Sequence, residues 1–216
     1  ECSATRMVWS GKSVGQEREE GSDKREEALK FFGLAPEKKT ILVVGGSLGA
    51  RTSNRSIQGD LDKLFASDVD VQVIWQTGRY YHEEALKHLK AYRGMPIWCS
   101  DFITRMDYAY AAADLVLSRS GAGTVSELCL VAKPVLFVPS PNVAEDHQTH
   151  NAMALVRKDA ALIVKDADAM EKMIPTALDL LKDEARIAAL AENAGKMALP
   201  DAAGKIAEEV YKLIKD

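Results

Sequence analysis

The sequence has no excess of basic residues. Its 28 lysines and arginines face 32 aspartates and glutamates, a formal net charge of −4. A nucleic-acid-binding surface is disfavoured, because such proteins usually carry a basic excess or stripe. An anionic ligand would have to be held by local features rather than by the field of the whole chain. Cysteine is scarce as well. Cys2, Cys99 and Cys129 are the only three, and their spacing matches neither a metal-binding nor a redox pattern. Cys99 and Cys129 sit in apolar runs and read as reduced, buried thiols, which points to a cytosolic setting. No apolar run nears the ~18 residues of a membrane-spanning helix, and the first residues lack a signal-peptide pattern. Work at a membrane is therefore expected to be peripheral, or to belong to a part outside these 216 residues. There is no internal repeat and no low-complexity tract.

What is present is an ordinary core-forming composition, 47% apolar and 28% charged, enough for one large domain or two small ones. Residues 1–39 read as a linker or arm ending in a short helix. "SVGQEREEGSDKREE" is polar throughout, and "SDKREEALKFFGL" offers Ser22 as a helix cap and Gly33 as its stop. From residue 40 the pattern becomes regular and continues to 216. Short β-branched runs occur at 40–44, 69–75, 95–99, 114–118, 134–138 and 161–164, with helix-compatible segments between most of them. Runs that are apolar on both faces and alternate with helices predict a parallel sheet covered on two sides. The expected fold is therefore α/β, a Rossmann-like doubly wound sheet of about six strands. The last fifty residues predict two or three helices. In the final one Ile206, Val210, Leu213 and Ile214 share one face, which must pack on something.

Ligands of open α/β sheets bind beyond the carboxyl ends of the strands. After the first strand comes "GGSLGAR" (45–51), where Gly46 and Ser47 allow close backbone approach and a following helix would aim free N–H groups at an anion. A tight turn alone would need only Gly45. The segment is not GxGxxG and no acidic residue ends the second strand, so a nicotinamide cofactor is disfavoured. After the fourth strand, "SRSGAGTVSELCL" carries Arg119 where a phosphate would lie, then Ala122, Gly123 and Thr124. Thr124 and Glu127 have capping-box spacing. Spacing leaves Glu127 evenly divided between capping the helix and accepting two vicinal hydroxyls such as those of ribose. After the fifth strand, His147, Gln148, His150 and Asn151 form an amide- and imidazole-rich loop suited to a polyhydroxylated ligand. The i, i+3 histidines raise a metal site, but spacing fixes no third ligand, and Asp146 doubles as a helix-start residue. "WQTGRYY" (75–81) ends the second strand with Arg79, balanced between ligand contact and solvated loop. Two Asp-x-Asp strings are discounted: Asp68 and Asp70 precede a strand, and Asp166 and Asp168 suit a helix cap.

Taken together, "ILVVGGSLGAR", "QTG", "DFI", "SRSGAGTVSEL", "KPVLFVP" and "HQTHNA" resemble, in order and spacing, the C-terminal half of the MurG family of GT-B glycosyltransferases. The resemblance covers roughly residues 40–216. It implies transfer of N-acetylglucosamine from UDP-N-acetylglucosamine to a lipid-linked muramoyl-pentapeptide (lipid I), giving lipid II for peptidoglycan. It implies no cofactor, no metal and no nucleic acid. The implied location is the cytoplasmic face of the bacterial inner membrane, reached through the acceptor domain. The implied contacts are Ser47 beside the diphosphate and Ile103 at the uracil edge through its backbone. Ala122, Gly123 and Thr124 would line the diphosphate and nucleoside, Glu127 would take the ribose hydroxyls, and Gln148 the sugar hydroxyls. Gly46, His147 and Asn151 stand beside them. Gly123 occupies a position that is leucine in some members, Thr149 one that is a second glutamine, and Gly15, in "SGKSVGQ", one that is arginine. The general base, the lipid site and the membrane face belong to the family's N-terminal domain, so no catalytic residue is expected here and the chain alone is expected to be inactive. The same pattern leaves room for another GT-B transferase, such as a glycolipid synthase, and for a binding subunit of a split sugar transferase.

Overall fold

The computed structural model of the chain describes residues 14–215. Strands β1 (Lys39–Val44), β2 (Val71–Gln76), β3 (Ile97–Ser100), β4 (Leu115–Ser118), β5 (Val135–Phe137) and β6 (Leu162–Ile163) build one sheet. Their order is β3-β2-β1-β4-β5-β6, and every neighbouring pair is parallel. All six expected runs become strands; β1 gains one residue and the other five are shortened or shifted by a few. Ile41 pairs with Val73 on one side and Leu115 on the other, so β1 and β4 form the centre, where the order of connection reverses.

Helices α1 (Val14–Phe32), α2 (Arg51–Phe65), α3 (His82–Leu89), α4 (Met106–Ala112), α5 (Ala122–Leu130), α6 (His147–Val156), α7 (Ala169–Lys182), α8 (Glu184–Lys196) and α9 (Ala202–Lys215) are the α-helices of the described residues. Strand side chains alternate between two buried layers. Ile41, Val43, Val73, Trp75, Leu115 and Leu117 pack with Ile57 and Leu61 of α2, Ala85 of α3 and Met173 of α7. Leu42, Ile74, Val116 and Phe137 pack on the other face with Leu29 of α1, Ala109 of α4, Leu128 of α5 and Leu155 of α6. Each large side chain fully buried this way contributes about 1.5–3 kcal/mol.

Two expectations about the ends change. Ser22 does not cap a helix, because α1 already runs through it from Val14. Residues 14–21 are polar but rich in Gln, Glu and Arg, which are good helix formers. The second half of α1 is anchored by Ala28, Leu29 and Phe32 in the core. Arg25 ties it further, donating to the carbonyl of Ala112 and, at 2.9 Å, to Asp114. Gly33 does stop the helix, at φ +67°, with Leu34 N–H returning to Leu29 C=O at 2.9 Å, a left-handed cap that glycine adopts without strain. Of the "SGKSVGQ" segment, residues 10–13 and Cys2 lie outside the described residues. At the other end three helices follow β6. On α9, Ile206 and Val210 are exposed, so nothing described covers the stripe; the side chains of Leu213 and Ile214 lie outside the described residues.

Candidate functional site

A cleft of about 560 Å³ opens between the carboxyl ends of β1 and β4, lined from five strand-to-helix connections and the starts of α2, α5 and α6. This is the point where the sheet order reverses, and the connections leaving β1 and β4 run to opposite faces of the sheet, which leaves a crevice between them.

The first wall is the β1–α2 loop. Gly46 and Gly49 have φ of +80° and +91°. A Cβ on Gly49 would lie 2.3 Å from Thr77 O, and one on Gly78 would lie 2.1 Å from Gly49 N. The β1–α2 and β2–α3 loops therefore pack backbone against backbone, and Arg79 N–H bonds Ser47 C=O at 3.1 Å. Of the three glycines in "GGSLGAR", Gly49 serves this contact, and Gly45 serves the turn itself, since a Cβ there would lie 2.7 Å from Ala50 N. Gly46 is different, since a Cβ there would meet nothing within 4 Å. Ser47 sits exposed at the loop tip, next to the lined surface rather than on it. Below the loop, Asn54 accepts from Trp75 Nε1 and donates to Thr77 C=O, both at 2.8 Å. Helix α2 has neither a side-chain cap nor an acid among the residues of its first turn, so its leading N–H groups have no side-chain acceptor within the helix. Its first residue, Arg51, is exposed and lines the cleft. It makes no ion pair among the described residues.

The β4–α5 loop forms the opposite wall. Helix α5 begins at Ala122 with Gly121 as N-cap and without a side-chain cap. Thr124 is thus the third helical residue, and the expected capping box does not form. Glu127 does not reach back to the helix start; it is exposed and its Oε2 accepts from Tyr110 Oη at 3.1 Å. Gly121 and Gly123 are not left-handed, and added Cβ atoms would meet Thr124 Oγ1 only at 4.0 Å and nothing, respectively. Neither backbone conformation nor packing requires these two glycines.

Arg119 lines the cleft with one guanidinium nitrogen already engaged. Its Nη1 donates to Val138 C=O at 2.8 Å, to Pro139 C=O at 3.0 Å and to Asp166 Oδ1 at 2.5 Å. Asp166 Oδ2 also accepts from Thr52 Oγ1 at 2.9 Å. Asp166 is therefore not a helix cap but the strut that holds Arg119 and α2 together. Asp68 and Asp70, at the other end of the sheet, pair with Lys182 and Lys38 at 2.7 Å.

The third wall is the β5–α6 loop. Gln148 Oε1 accepts from Ser140 N–H at 2.9 Å and its backbone carbonyl from Ser120 Oγ at 2.7 Å. Asn151 donates to Ser120 C=O at 3.0 Å. Asn151 thus fastens two loops, while Gln148 lines the cleft. Glu145 and Asp146 both adopt left-handed conformations, φ 53° and 50°, at a cost on the order of 1 kcal/mol each for non-glycine residues. Asp146 accepts from Thr149 Oγ1 at 2.7 Å without capping α6. His147 and His150 are exposed, and no group of three or more His, Cys, Asp or Glu able to hold a metal occurs among the described residues. Ile103 lies apart, between β3 and α4, with its side chain 2% exposed in the core, so only its backbone is offered to a ligand. Sequence reasoning missed Arg51, Thr52, Tyr81 and Asp166 as cleft residues. Arg51 stands at the expected helix start, at the end of "GGSLGAR", and could have been found; Asp166 was visible only as half of an Asp-x-Asp string, and nothing in its spacing points to Arg119, 47 positions away.

Residues 40–206 match the glycosyltransferase family 28 C-terminal domain. The chain is 65% identical over 98% of its length to a UDP-N-acetylglucosamine–N-acetylmuramyl-(pentapeptide) pyrophosphoryl-undecaprenol N-acetylglucosamine transferase of Parabacteroides distasonis. It is 51% identical over 97% of its length to the transferase of the same name from Bacteroides fragilis. It spans 57% and 55% of those two relatives. Among solved structures, MurG of Acinetobacter baumannii superposes with a TM-score of 0.73 at 29% identity, covering 89% of this chain and 53% of that one. The C-terminal CMP-Kdo binding domain of WaaA, at 13% identity and a TM-score of 0.60 over 82% of this chain and 97% of its own, shares the fold alone. A parallel sheet in 3-2-1-4-5-6 order, a cleft at its reversal point and a match across residues 40–206 together place this chain in the glycosyltransferase family 28 C-terminal domain family.

Proposed function

We propose that the chain forms the donor-binding half of an inverting glycosyltransferase. The enzyme would move N-acetylglucosamine from UDP-N-acetylglucosamine to a lipid-linked muramoyl-pentapeptide, making the lipid II precursor of peptidoglycan. The observation that carries this reading is the 65% identity to a transferase of that name, in a chain whose cleft is built for an anion with a polyhydroxylated group attached. The uracil meets the backbone at Ile103, and the ribose hydroxyls meet Glu127. The diphosphate lies between the N-termini of α2 and α5, against Gly46, Ala122, Gly123 and Thr124, with Ser47 at the rim. Gln148 faces the sugar hydroxyls, with His147 and Asn151 in the same loop.

Inverting transfer builds oxocarbenium character on the sugar as negative charge develops on the departing UDP. Fixed N–H groups at two helix ends stabilise that charge with little reorganisation. Arg51, without a paired carboxylate among the described residues, adds a cation beside Arg119, whose Nη1 is held by Asp166. This arrangement needs neither a metal nor another cofactor. The general base and the lipid site belong to the part of the relatives this chain does not span, and contact with the inner membrane's cytoplasmic face is assigned to that part too. No helix among the described residues is long and apolar enough to cross a membrane.

Isothermal titration of this chain with UDP-N-acetylglucosamine in the presence of a chelator tests the reading. Binding is expected, with UDP competing and UDP-glucose and UDP-galactose weaker. Absence of binding by UDP at millimolar concentration rejects a donor site, and a preference for UDP-glucose or UDP-galactose assigns the chain to a different transferase.

A further inference from the structure

Tyr110 lies near the end of α4, 6% exposed, in the same buried cluster as Leu128 and Cys129 of α5. A phenylalanine would fill that volume as well. The hydroxyl adds only a desolvation cost unless it finds a partner, and its partner is the Glu127 carboxylate at 3.1 Å. Burial first, and then the Glu127 charge, push the phenol above its ordinary 10.0, so it remains a donor at neutral pH. Glu127 is exposed, and Tyr110 is the one side chain to which it bonds among the described residues. An exposed glutamate on a helix samples several rotamers, and ordering it around a ligand costs conformational entropy. The hydroxyl removes part of that freedom before any ligand arrives. Helix α4 is also the element that follows Ile103, so this single bond links the loop on the base side to the helix on the ribose side.

We infer that Tyr110 is a positioning residue of the nucleoside subsite: its hydroxyl aims the Glu127 carboxylate at the vicinal hydroxyls of a bound ribonucleoside diphosphate and holds α4 and α5 in register. The inference rests on Glu127 being the ribose acceptor, as proposed above. Its distinctive consequence is that loss of the hydroxyl weakens ribose recognition without weakening the hold on phosphate.

The test is calorimetric titration of the chain with UDP and with 2′,3′-dideoxy-UDP, for the parent and for Tyr110→Phe, Glu127→Asp and Glu127→Gln. The parent is expected to prefer UDP. Tyr110→Phe should lose about three- to tenfold in UDP affinity, the worth of one hydrogen bond, and leave dideoxy-UDP unchanged. Glu127→Asp keeps the charge but withdraws it from the hydroxyl without touching the core, and should reproduce that selective loss. Glu127→Gln should abolish the preference, after which Tyr110→Phe adds nothing. A parent that binds both nucleotides equally overturns the ribose reading and this inference together. A parent that discriminates, beside a Tyr110→Phe variant that discriminates by the same factor, overturns this inference alone. Equal weakening toward both nucleotides would reduce Tyr110 to a packing residue and overturn it too.

Discussion

Arg119 Nη1 lies 2.5 Å from Asp166 Oδ1 across the floor of the cleft, and the two side chains are 16% and 19% exposed. The pair joins the end of β4 to the segment after β6, and Thr52 fastens it to α2. Asp166→Asn should therefore have two effects of opposite sign. Urea unfolding is expected to show a loss of about 1–3 kcal/mol, because a largely enclosed guanidinium loses its counter-charge. Affinity for UDP is expected to rise about two- to fivefold, since a negative charge leaves an anion site and a positive one is released. A fall in both would show that Asp166 contributes to binding directly.

Arg51 occupies the first position of α2, where a positive charge faces the positive end of the helix dipole at a cost of a few tenths of a kcal/mol. A bound diphosphate would reverse that sign. Arg51→Gln is expected to weaken UDP about tenfold and to flatten the dependence of binding on salt, while uridine affinity stays constant. Titrations at two ionic strengths check this.

The glycines divide by cause. Gly49→Ala would drive a Cβ to 2.3 Å from Thr77 O at φ +91°, and should cost at least about 2 kcal/mol in a denaturation experiment. Gly123→Ala meets open space within α5, so stability should rise by roughly 0.5–1 kcal/mol. UDP affinity should fall if the backbone there is approached closely, which calorimetry on the same variant reads directly.

Lys133 donates to Ala113 C=O at 2.8 Å, and burial brings its ammonium down from 10.5 to about 8, with Arg25 reinforcing and Asp114 opposing. Between pH 8 and 10.5 the unfolded chain then holds more protons than the folded one, so this group makes stability rise with pH across that window. Burial also pushes the Cys99 thiol from 9.0 up to about 12. There the unfolded chain loses its proton first, so stability falls from pH 9 upward. Urea midpoints of the parent and Lys133→Met, compared from pH 7 to 10, isolate the lysine because Cys99 is common to both. The parent should gain on the variant from pH 8.

The strands were legible because each is a short β-branched run buried on both faces, and hydrophobic continuity is a local property. The glycine loops were legible as loops. Their purpose was not, since the contact between Gly49 and Gly78 joins residues 29 positions apart. The polar first half of α1 looked like a linker because, despite its good helix formers, it carries no apolar stripe, and the anchorage of the second half by Leu29 and Phe32 exists only in the folded chain. Arg119 was found, but its partner was discounted; the spacing of Asp166 and Asp168 suggests a cap, and only the folded sheet brings Asp166 beneath β4.

By itself, then, the sequence determined the alternation of strands and helices, the end of the sheet where the cleft opens and the motifs that mark the family, all of which follow from local patterning and chain order. The tertiary structure decided which charges are free and which are spent, and what Glu127 does before a ligand comes. Those depend on partners such as Tyr110 and Asp166, placed by packing across the sheet, and no spacing along the chain encodes them.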